Sequence, residues 1–288
     1  TVMEAFSLNI RGKLRRYERP AVMGIVNVTP DSFYADSRTF ADEEIATRVT
    51  GMIAAGIDII DVGAYSSRPG AGDVTHDEEA ARLQRGLSIV RQIAGPDIPV
   101  SVDTFRADVA RRCIEDWGAD IINDISGGSI DPDMGETAAA LQVPYILMHM
   151  RGTPADMQSR TDYNDVTADV LAELGDKLAQ LAILGVNDII IDPGFGFSKT
   201  MEQNYRLLRD LRLFGLFHRP VLAGFSRKSM ITRLLGISSD EALNGTTALN
   251  VLALERGAAI LRVHDVRAAR EAIEIVMATE GEIPHISP

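Results

Sequence analysis

Eight short apolar runs in this chain each end on a side chain that can bind a polar group or exchange a proton. In order these are Asn27, Asp61, Asp103, Asn123 with Asp124 beside it, His149, Asp192, Ser226 with Lys228 shortly after, and Arg262 with His264. Taken singly, Asp and Asn in such places are ordinary turn formers and helix N-caps. Taken together they imply a polar ligand, because carboxylates, amides and a lysine buried around one pocket cost stability unless partners satisfy them. Carboxylates and amides on adjacent strands suit a planar heterocycle with N–H donors and an acceptor carbonyl. One carboxylate accepts two parallel N–H bonds, so a guanidine-like ring edge fits. Arg262 and His264 stand two residues apart on one strand face, where both can meet a single anion.

The runs that must position these groups are AVMGIVNV (21–28), DIIDVG (58–63), PVSVD (99–103), ADIINDI (119–125), PYILMHM (144–150), DIIIDPG (188–194), PVLAGFS (220–226) and AAILRVHD (258–265). Several are nearly continuous in apolar residues, as parallel strands covered on both faces are. Between them apolar residues recur with helical period: Ile45, Val49 and Ile53; Leu83, Leu87 and Val90; Val166, Val170, Leu174, Leu178 and Leu181; Val266, Ala269 and Ile273. The shortest gap, RADVARRCIEDWG, still supplies about twelve helical residues for a right-handed crossover. Eight βα units in roughly 250 residues predict an α/β fold of the (β/α)8 TIM barrel type, with its active site at the C-terminal strand ends. The alternation of FSLNI and LRRYE around Gly12 and Lys13 predicts an N-terminal β-hairpin, within residues 1–20, that closes the bottom of the barrel. Residues 1–288 are then expected to form a single domain. The segments 28–40 and 63–73 are polar, rich in Gly, Pro or Ser, and each holds an arginine, which predicts two lid loops. The acidic runs Asp42–Glu44 and Asp77–Glu79 are expected to open helices, where they complement the dipole.

Composition excludes several classes. With 45% hydrophobic and 24% charged residues among 288, the chain can bury a sizeable core. Its 29 basic against 41 acidic residues give a net charge of −12, which repels a phosphate backbone, so no nucleic-acid partner is expected. No apolar run approaches the ~18–20 residues of a membrane span and no basic-then-hydrophobic leader precedes the first strand; a cytoplasmic protein is expected. The single cysteine, Cys113, reads as a buried helical thiol. His76, His218 and His285 lack ligand spacing, which disfavours zinc. The glycines of DPGFGF lack the spacing of a dinucleotide fingerprint. His149, in an apolar strand, reads as a satisfied core histidine.

The motifs MGIVNVTPDSF (23–33), SSRPGA (66–71), VSVDT (100–104), NDISGG (123–128), LMHMRGTP (147–154), DPGFGF (192–197), GFSRKS (224–229) and LRVHDV (261–266) follow one another in an order that resembles the dihydropteroate synthase family. The resemblance implies condensation of 6-hydroxymethyl-7,8-dihydropterin pyrophosphate with p-aminobenzoate in folate biosynthesis, by a sulfonamide-sensitive class of barrel that is commonly a homodimer. Carried over by position, Asp103, Asn123, Met148, Asp192, Lys228 and Arg262 would bind the pterin. Asn27, Ser67, Arg68, Arg262 and His264 would bind the pyrophosphate, with Asn27 also the protein ligand of Mg2+. Phe33, Ser67, Arg68, Pro69, Phe197, Lys228 and Ser229 would face p-aminobenzoate. Asp61 would be structural or loop-supporting.

The chain departs from the family in the second loop. Where Gly-Glu-Ser-Thr-Arg-Pro is expected, it has Ala64-Tyr65-Ser66-Ser67-Arg68-Pro69, which keeps the hydroxyl, arginine and proline but loses the glutamate and a glycine. The implied chemistry is SN1-like: pyrophosphate leaves, the dihydropterin ring delocalises the cation, and the neutral aryl amine attacks. Two other readings stay open at this stage, a pterin-dependent methyltransferase acting on methyltetrahydrofolate and a corrinoid protein, and a non-catalytic pterin-binding barrel.

Overall fold

The computed structural model describes residues 3–28, 35–65 and 73–283, with the backbone alone for 35–40. β1 (Phe6–Ile10) and β2 (Lys13–Tyr17) form an antiparallel hairpin. Its two-residue loop places Arg11 at φ 51° and Gly12 at φ 77°, the left-handed pair whose twist matches that of the strands it joins. Arg11 is a non-glycine residue in that region, and its Nε lies 2.9 Å from Oδ1 of the buried Asp120 beneath the barrel.

All eight predicted runs contain a strand: β3 (Ala21–Asn27), β4 (Ile59–Gly63), β5 (Val100–Asp103), β6 (Ile121–Asp124), β7 (Tyr145–Met148), β8 (Ile189–Asp192), β9 (Leu222–Ala223) and β10 (Ile260–Val263). Neighbours are parallel in the order β8-β7-β6-β5-β4-β3-β10-β9, and a bridge between Ile191 and Val221 brings β9 back to β8. The eight strands thus make a nearly closed (β/α)8 barrel. β9 is much shorter than the run 220–226 suggests. Pro220 has no N–H to donate and Gly224 weakens strand continuation.

The helices are α1 (Ala35–Ala54), α2 (His76–Ala94), α3 (Ala107–Glu115), α4 (Met134–Leu141), α5 (Val166–Leu184), α6 (Met201–Arg209), α7 (Ser229–Leu235), α8 (Leu243–Glu255) and α9 (Val266–Thr279). Two expectations need correction. The composition of 28–40 predicts a loop to residue 40, but α1 begins at Ala35; the segment 35–40 contains neither Gly nor Pro and extends the helix upstream. For the same reason Asp42–Glu44 lies inside α1 and does not open it. Asp42 instead receives a two-pronged bond from Arg85 of α2, Nε to Oδ1 at 2.7 Å and Nη2 to Oδ2 at 2.6 Å. Asp77, Glu78 and Glu79 do occupy the first turn of α2, capped by Thr75. Cys113 is buried in α3, and burial pushes its thiol pKa up. Among the described residues no helix is long and apolar enough to cross a membrane.

The two-residue period of the strands explains how the fold aims the polar ends. Ile59, Ile121, Ile146, Ile190, Leu222 and Ile260 form an apolar layer with Ala21 and Met23, and this layer packs on Phe6, Leu8, Ile10 and Tyr17 of the hairpin. The hairpin therefore plugs the lower end of the barrel. Two residues further along the same strands, on the same face, stand Asp61, Asn123, Met148, Asp192 and Arg262. A sealed apolar floor lies below and a polar layer above it.

Candidate active site

Asp61, Asn123 and Arg262 of this layer form one network with Asp103. Asp61 is wholly buried, and its Oδ2 accepts from Arg262 Nε at 2.8 Å and from Asn123 Nδ2 at 3.1 Å. Arg262 Nη2 also donates to Asp103 Oδ2 at 3.3 Å. Burial opposes the guanidinium charge, but Asp61 and Asp103 more than compensate and its pKa is raised. Asp103 responds the other way: burial and the neighbouring Asp61 push its carboxyl up to about 7, against the pull of Arg262.

A second pair faces this network. Asp192 Oδ1 accepts the Gly194 N–H at 2.8 Å, and burial raises its pKa against the opposing charge of Lys228. Lys228, the N-cap residue of α7, donates from Nζ to the Phe195 carbonyl at 2.6 Å and stands 4.8 Å from the centre of the Phe197 ring. Burial lowers its ammonium pKa to about 8, with Asp192 opposing the shift. Gly194 has φ 75°, and a Cβ there would sit 1.9 Å from the His149 carbonyl oxygen. The glycine at this position thus serves a close backbone approach. Met148 packs with Ile125, Met150 and Met157 as an apolar wall, flanked by Tyr65, Phe105 and Phe197.

His264 lies at the rim. Its Nδ1 is 2.7 Å from Ser226 Oγ, which also accepts the His264 backbone N–H at 3.1 Å. With the hydroxyl proton donated to Nδ1, the imidazole N–H sits on Nε2. Burial, then Arg48, Arg227 and Arg262, lower its pKa to about 4, so at neutral pH the imidazole is neutral and offers an N–H donor. An arriving anion reverses that balance. Binding of pyrophosphate at pH 6 is expected to draw a proton onto His264, seen by calorimetry in buffers of different ionisation enthalpy as an uptake larger than in His264→Gln. Equal uptake in the two proteins would show that His264 does not meet the anion.

Asn27, at the end of β3, is exposed, and its carboxamide makes no hydrogen bond to another described residue. Ser229 is exposed at the start of α7, beside Lys228. Phe33, Ser67, Arg68 and Pro69 lie outside the described residues. The structure therefore gathers Asp103, Asn123, Met148, Asp192, Phe197, Lys228 and Arg262 at the C-terminal end of the barrel, with Asn27 and His264 at or just beyond the ends of their strands and Ser229 at the start of α7.

Sequence reasoning gives Asp61 only a structural or loop-supporting role, notes Tyr65 only as a departure from the family, and misses Lys199. Asp61 is the hub that holds both Arg262 and Asn123. Tyr65 donates to Asp103 Oδ1 at 2.9 Å. Lys199 is buried under the loop after β8, its Nζ within 3.0 Å of the Gly194 carbonyl, 2.9 Å of the Phe197 carbonyl and 3.0 Å of His149 Nδ1. Those three partners use all three ammonium protons and leave the His149 proton on Nε2, facing Glu173 Oε2 at 2.7 Å. His149 is thus the satisfied core histidine expected, held neutral with a pKa lowered to about 4 by burial and by Lys199. Lys199→Met is expected to orphan two buried carbonyls and one ring nitrogen and to lower unfolding stability by about 2–4 kcal/mol in urea. An unchanged midpoint would mean that the loop does not depend on this clamp.

Comparison with known proteins agrees with this geometry. The pterin binding enzyme family matches residues 23–264. The chain is 43% identical to the dihydropteroate synthase of Escherichia coli K12 over 263 residues, covering 90% of this chain and 92% of that one. It is 41% identical over 266 residues to the enzyme of the same name from Synechocystis, covering 91% of this chain and 90% of that one. Among solved structures, Xanthomonas albilineans dihydropteroate synthase with 4-aminobenzoic acid superimposes with a TM-score of 0.86 at 36% identity, covering 96% of this chain and 99% of that one. The Yersinia pestis enzyme in complex with a sulfonamide drug gives 0.86 at 37% identity, covering 96% and 100%. These relatives are named as synthases and not as the corrinoid methyltransferase that the sequence left open. With its nearly closed barrel and its ring of polar strand ends, the chain belongs to the dihydropteroate synthase family, the pterin-binding transferases of folate biosynthesis.

Proposed function

We propose that the polar layer binds 6-hydroxymethyl-7,8-dihydropterin pyrophosphate and that p-aminobenzoate enters beside Lys228 and Phe197 to be joined to it. The observation that carries this reading is the layer of Asp61, Asn123, Asp192 and Arg262, with Asp103 bonded to it, above a sealed apolar floor. Asp192 and Asp103 accept from the ring N–H and amino groups, Asn123 bonds the ring edge, and Lys228 donates to the ring carbonyl and N5 side. Arg262, held by its edge on Asp61 and Asp103, keeps a planar face for stacking. Met148 supplies an apolar wall below the ring.

Asn27, Arg262 and His264 take the pyrophosphate, with Ser67 and Arg68 of the second loop. Asn27 also fits Mg2+, because its carboxamide oxygen is a hard donor without a competing bond to a described residue. Among the described residues no cluster of three or more His, Cys, Asp or Glu side chains could cage a metal, so most ligands would come from the pyrophosphate and water. The ion, when bound, neutralises charge on the leaving pyrophosphate.

The protein's own residues do the rest by position and electrostatics. The bond from the exocyclic methylene to the bridging oxygen breaks, and its electron pair leaves with pyrophosphate towards Arg262 and His264. The ring carbocation stays between Asp103 and Asp192, whose charges stabilise it. The neutral amine of p-aminobenzoate then forms the C–N bond with its lone pair, and the acidic ammonium so formed releases its proton to solvent water. Phe33, Ser67, Arg68, Pro69, Phe197 and Ser229 orient that substrate. A substrate carrying 18O at the bridging position tests the order of events: without p-aminobenzoate, scrambling of the label into the non-bridging oxygens supports ionisation first, and retention overturns it.

The same reading includes a homodimer. Leu234 and Leu235 of α7 and Leu243 and Leu252 of α8 are exposed on helices that pack closely, since a Cβ at Gly245 would lie 2.4 Å from Ile231 Cγ2. Light scattering at twice the chain mass supports pairing through this apolar surface, and a monomer mass at micromolar concentration overturns it.

A further inference from the structure

We propose that Tyr65 is a positioning residue for the pterin: its hydroxyl holds Asp103 in the acceptor form and in the orientation that the ring requires. The inference rests on the pterin reading given above.

Among the described residues each Asp103 oxygen has one donor, the Tyr65 hydroxyl at 2.9 Å on Oδ1 and Arg262 Nη2 at 3.3 Å on Oδ2. The phenol is held from the side. Its ring meets Phe105 edge-on, with centroids 5.2 Å apart and planes at 66°, and it packs on the wall that contains Met148. The oxygen is therefore fixed by packing before any ligand arrives, as preorganised groups are.

The charged groups around Asp103 are unevenly divided. Asp61 of β4 and Glu79 of α2 disfavour its carboxylate, while Arg262 of β10 and the Tyr65 hydroxyl favour it. Burial and Asp61 push the group up to about 7, and the hydroxyl's hydrogen bond to Oδ1 works against that shift in favour of the carboxylate. Burial and the nearby Asp103 raise the Tyr65 pKa well above the usual phenol value, which keeps it a donor throughout the working range. The glutamate expected from the family at this position would add another anion to a cluster that already contains Asp61, Asp103 and Glu79. Tyr65 supplies a neutral donor in its place, a local solution to the charge balance of this chain.

Tyr65→Phe keeps the ring and removes only the hydroxyl. Binding of 6-hydroxymethylpterin, which lacks the pyrophosphate, is measured by titration of the full chain between pH 5.5 and 8.5. The variant is expected to move the acid limb of binding upward by about one pH unit: roughly tenfold weaker binding at pH 6, and within about twofold of the original at pH 8.5. In an Asp103→Asn background, removing the hydroxyl should leave the pH profile unchanged. An acid limb that does not move, or an equal loss at every pH, overturns the proposal, because a packing role predicts one of those two results. Failure of the pterin reading looks different: the unmodified protein then binds no 6-hydroxymethylpterin at any pH, and both readings fall together.

Discussion

Asp61→Ala is expected to lower the unfolding free energy by about 3–5 kcal/mol, the range for leaving one partner of a buried ion pair uncompensated. The side chain is fully buried and holds Arg262 Nε at 2.8 Å and Asn123 Nδ2 at 3.1 Å through one oxygen. Without it the guanidinium keeps only Asp103, at 3.3 Å, and the Asn123 amide loses its acceptor. Asp61→Asn should lose less, because an amide oxygen still accepts from Arg262. The two variants together separate loss of charge from loss of the acceptor. Urea unfolding monitored by circular dichroism reads both, and a loss below about 1 kcal/mol in Asp61→Ala would mean that Arg262 finds solvent and that Asp61 is not the hub described.

The largest effect on ligand binding should come from Asp192→Asn. The Gly194 N–H, 2.8 Å from Oδ1, dictates how the new carboxamide turns: its oxygen faces Gly194 and its NH2 group faces the pocket. A ring edge made of N–H donors then meets a donor. The expected loss is about 2–4 kcal/mol of pterin affinity, roughly thirtyfold to several hundredfold in Kd. Removing the carboxylate also removes the charge that opposes the lowered pKa of Lys228, so its ammonium should titrate below its present value of about 8. Calorimetry with 6-hydroxymethylpterin measures the first effect, and binding at the original strength would place the ring elsewhere.

The strands and their polar ends were legible because buried parallel strands are written as continuous apolar runs, and a polar residue at the end of one stands out. The hairpin was legible from its alternation around Gly12. The start of α1 was not, since Pro30, Asp31 and Ser32 give residues 28–40 a loop-like composition although 35–40 are helical. Within the site, the sequence indicates which residues are polar but not which of them meet. Asp61 and Arg262 are joined only when the barrel closes, 201 positions apart in the chain. The neutral state of His264 depends on burial and then on Arg48 and Arg227 from other elements, which no local pattern encodes. Lys199 was unreadable for a simpler reason: a lone lysine after a glycine loop looks like a solvated side chain until the carbonyls of 194 and 197 turn towards it. Tyr65 was noticed only as a departure from the expected glutamate, and its partner Asp103 lies on the next strand.

The most direct test of the central claim is release of pyrophosphate from 6-hydroxymethyl-7,8-dihydropterin pyrophosphate in the presence of Mg2+, with and without p-aminobenzoate. Pyrophosphate should accumulate with p-aminobenzoate in equal amount to 7,8-dihydropteroate, and Asp192→Asn should reduce both products together. Sustained release at the same rate without p-aminobenzoate, or no release with it, would contradict the assignment of this barrel as a site that joins the two substrates.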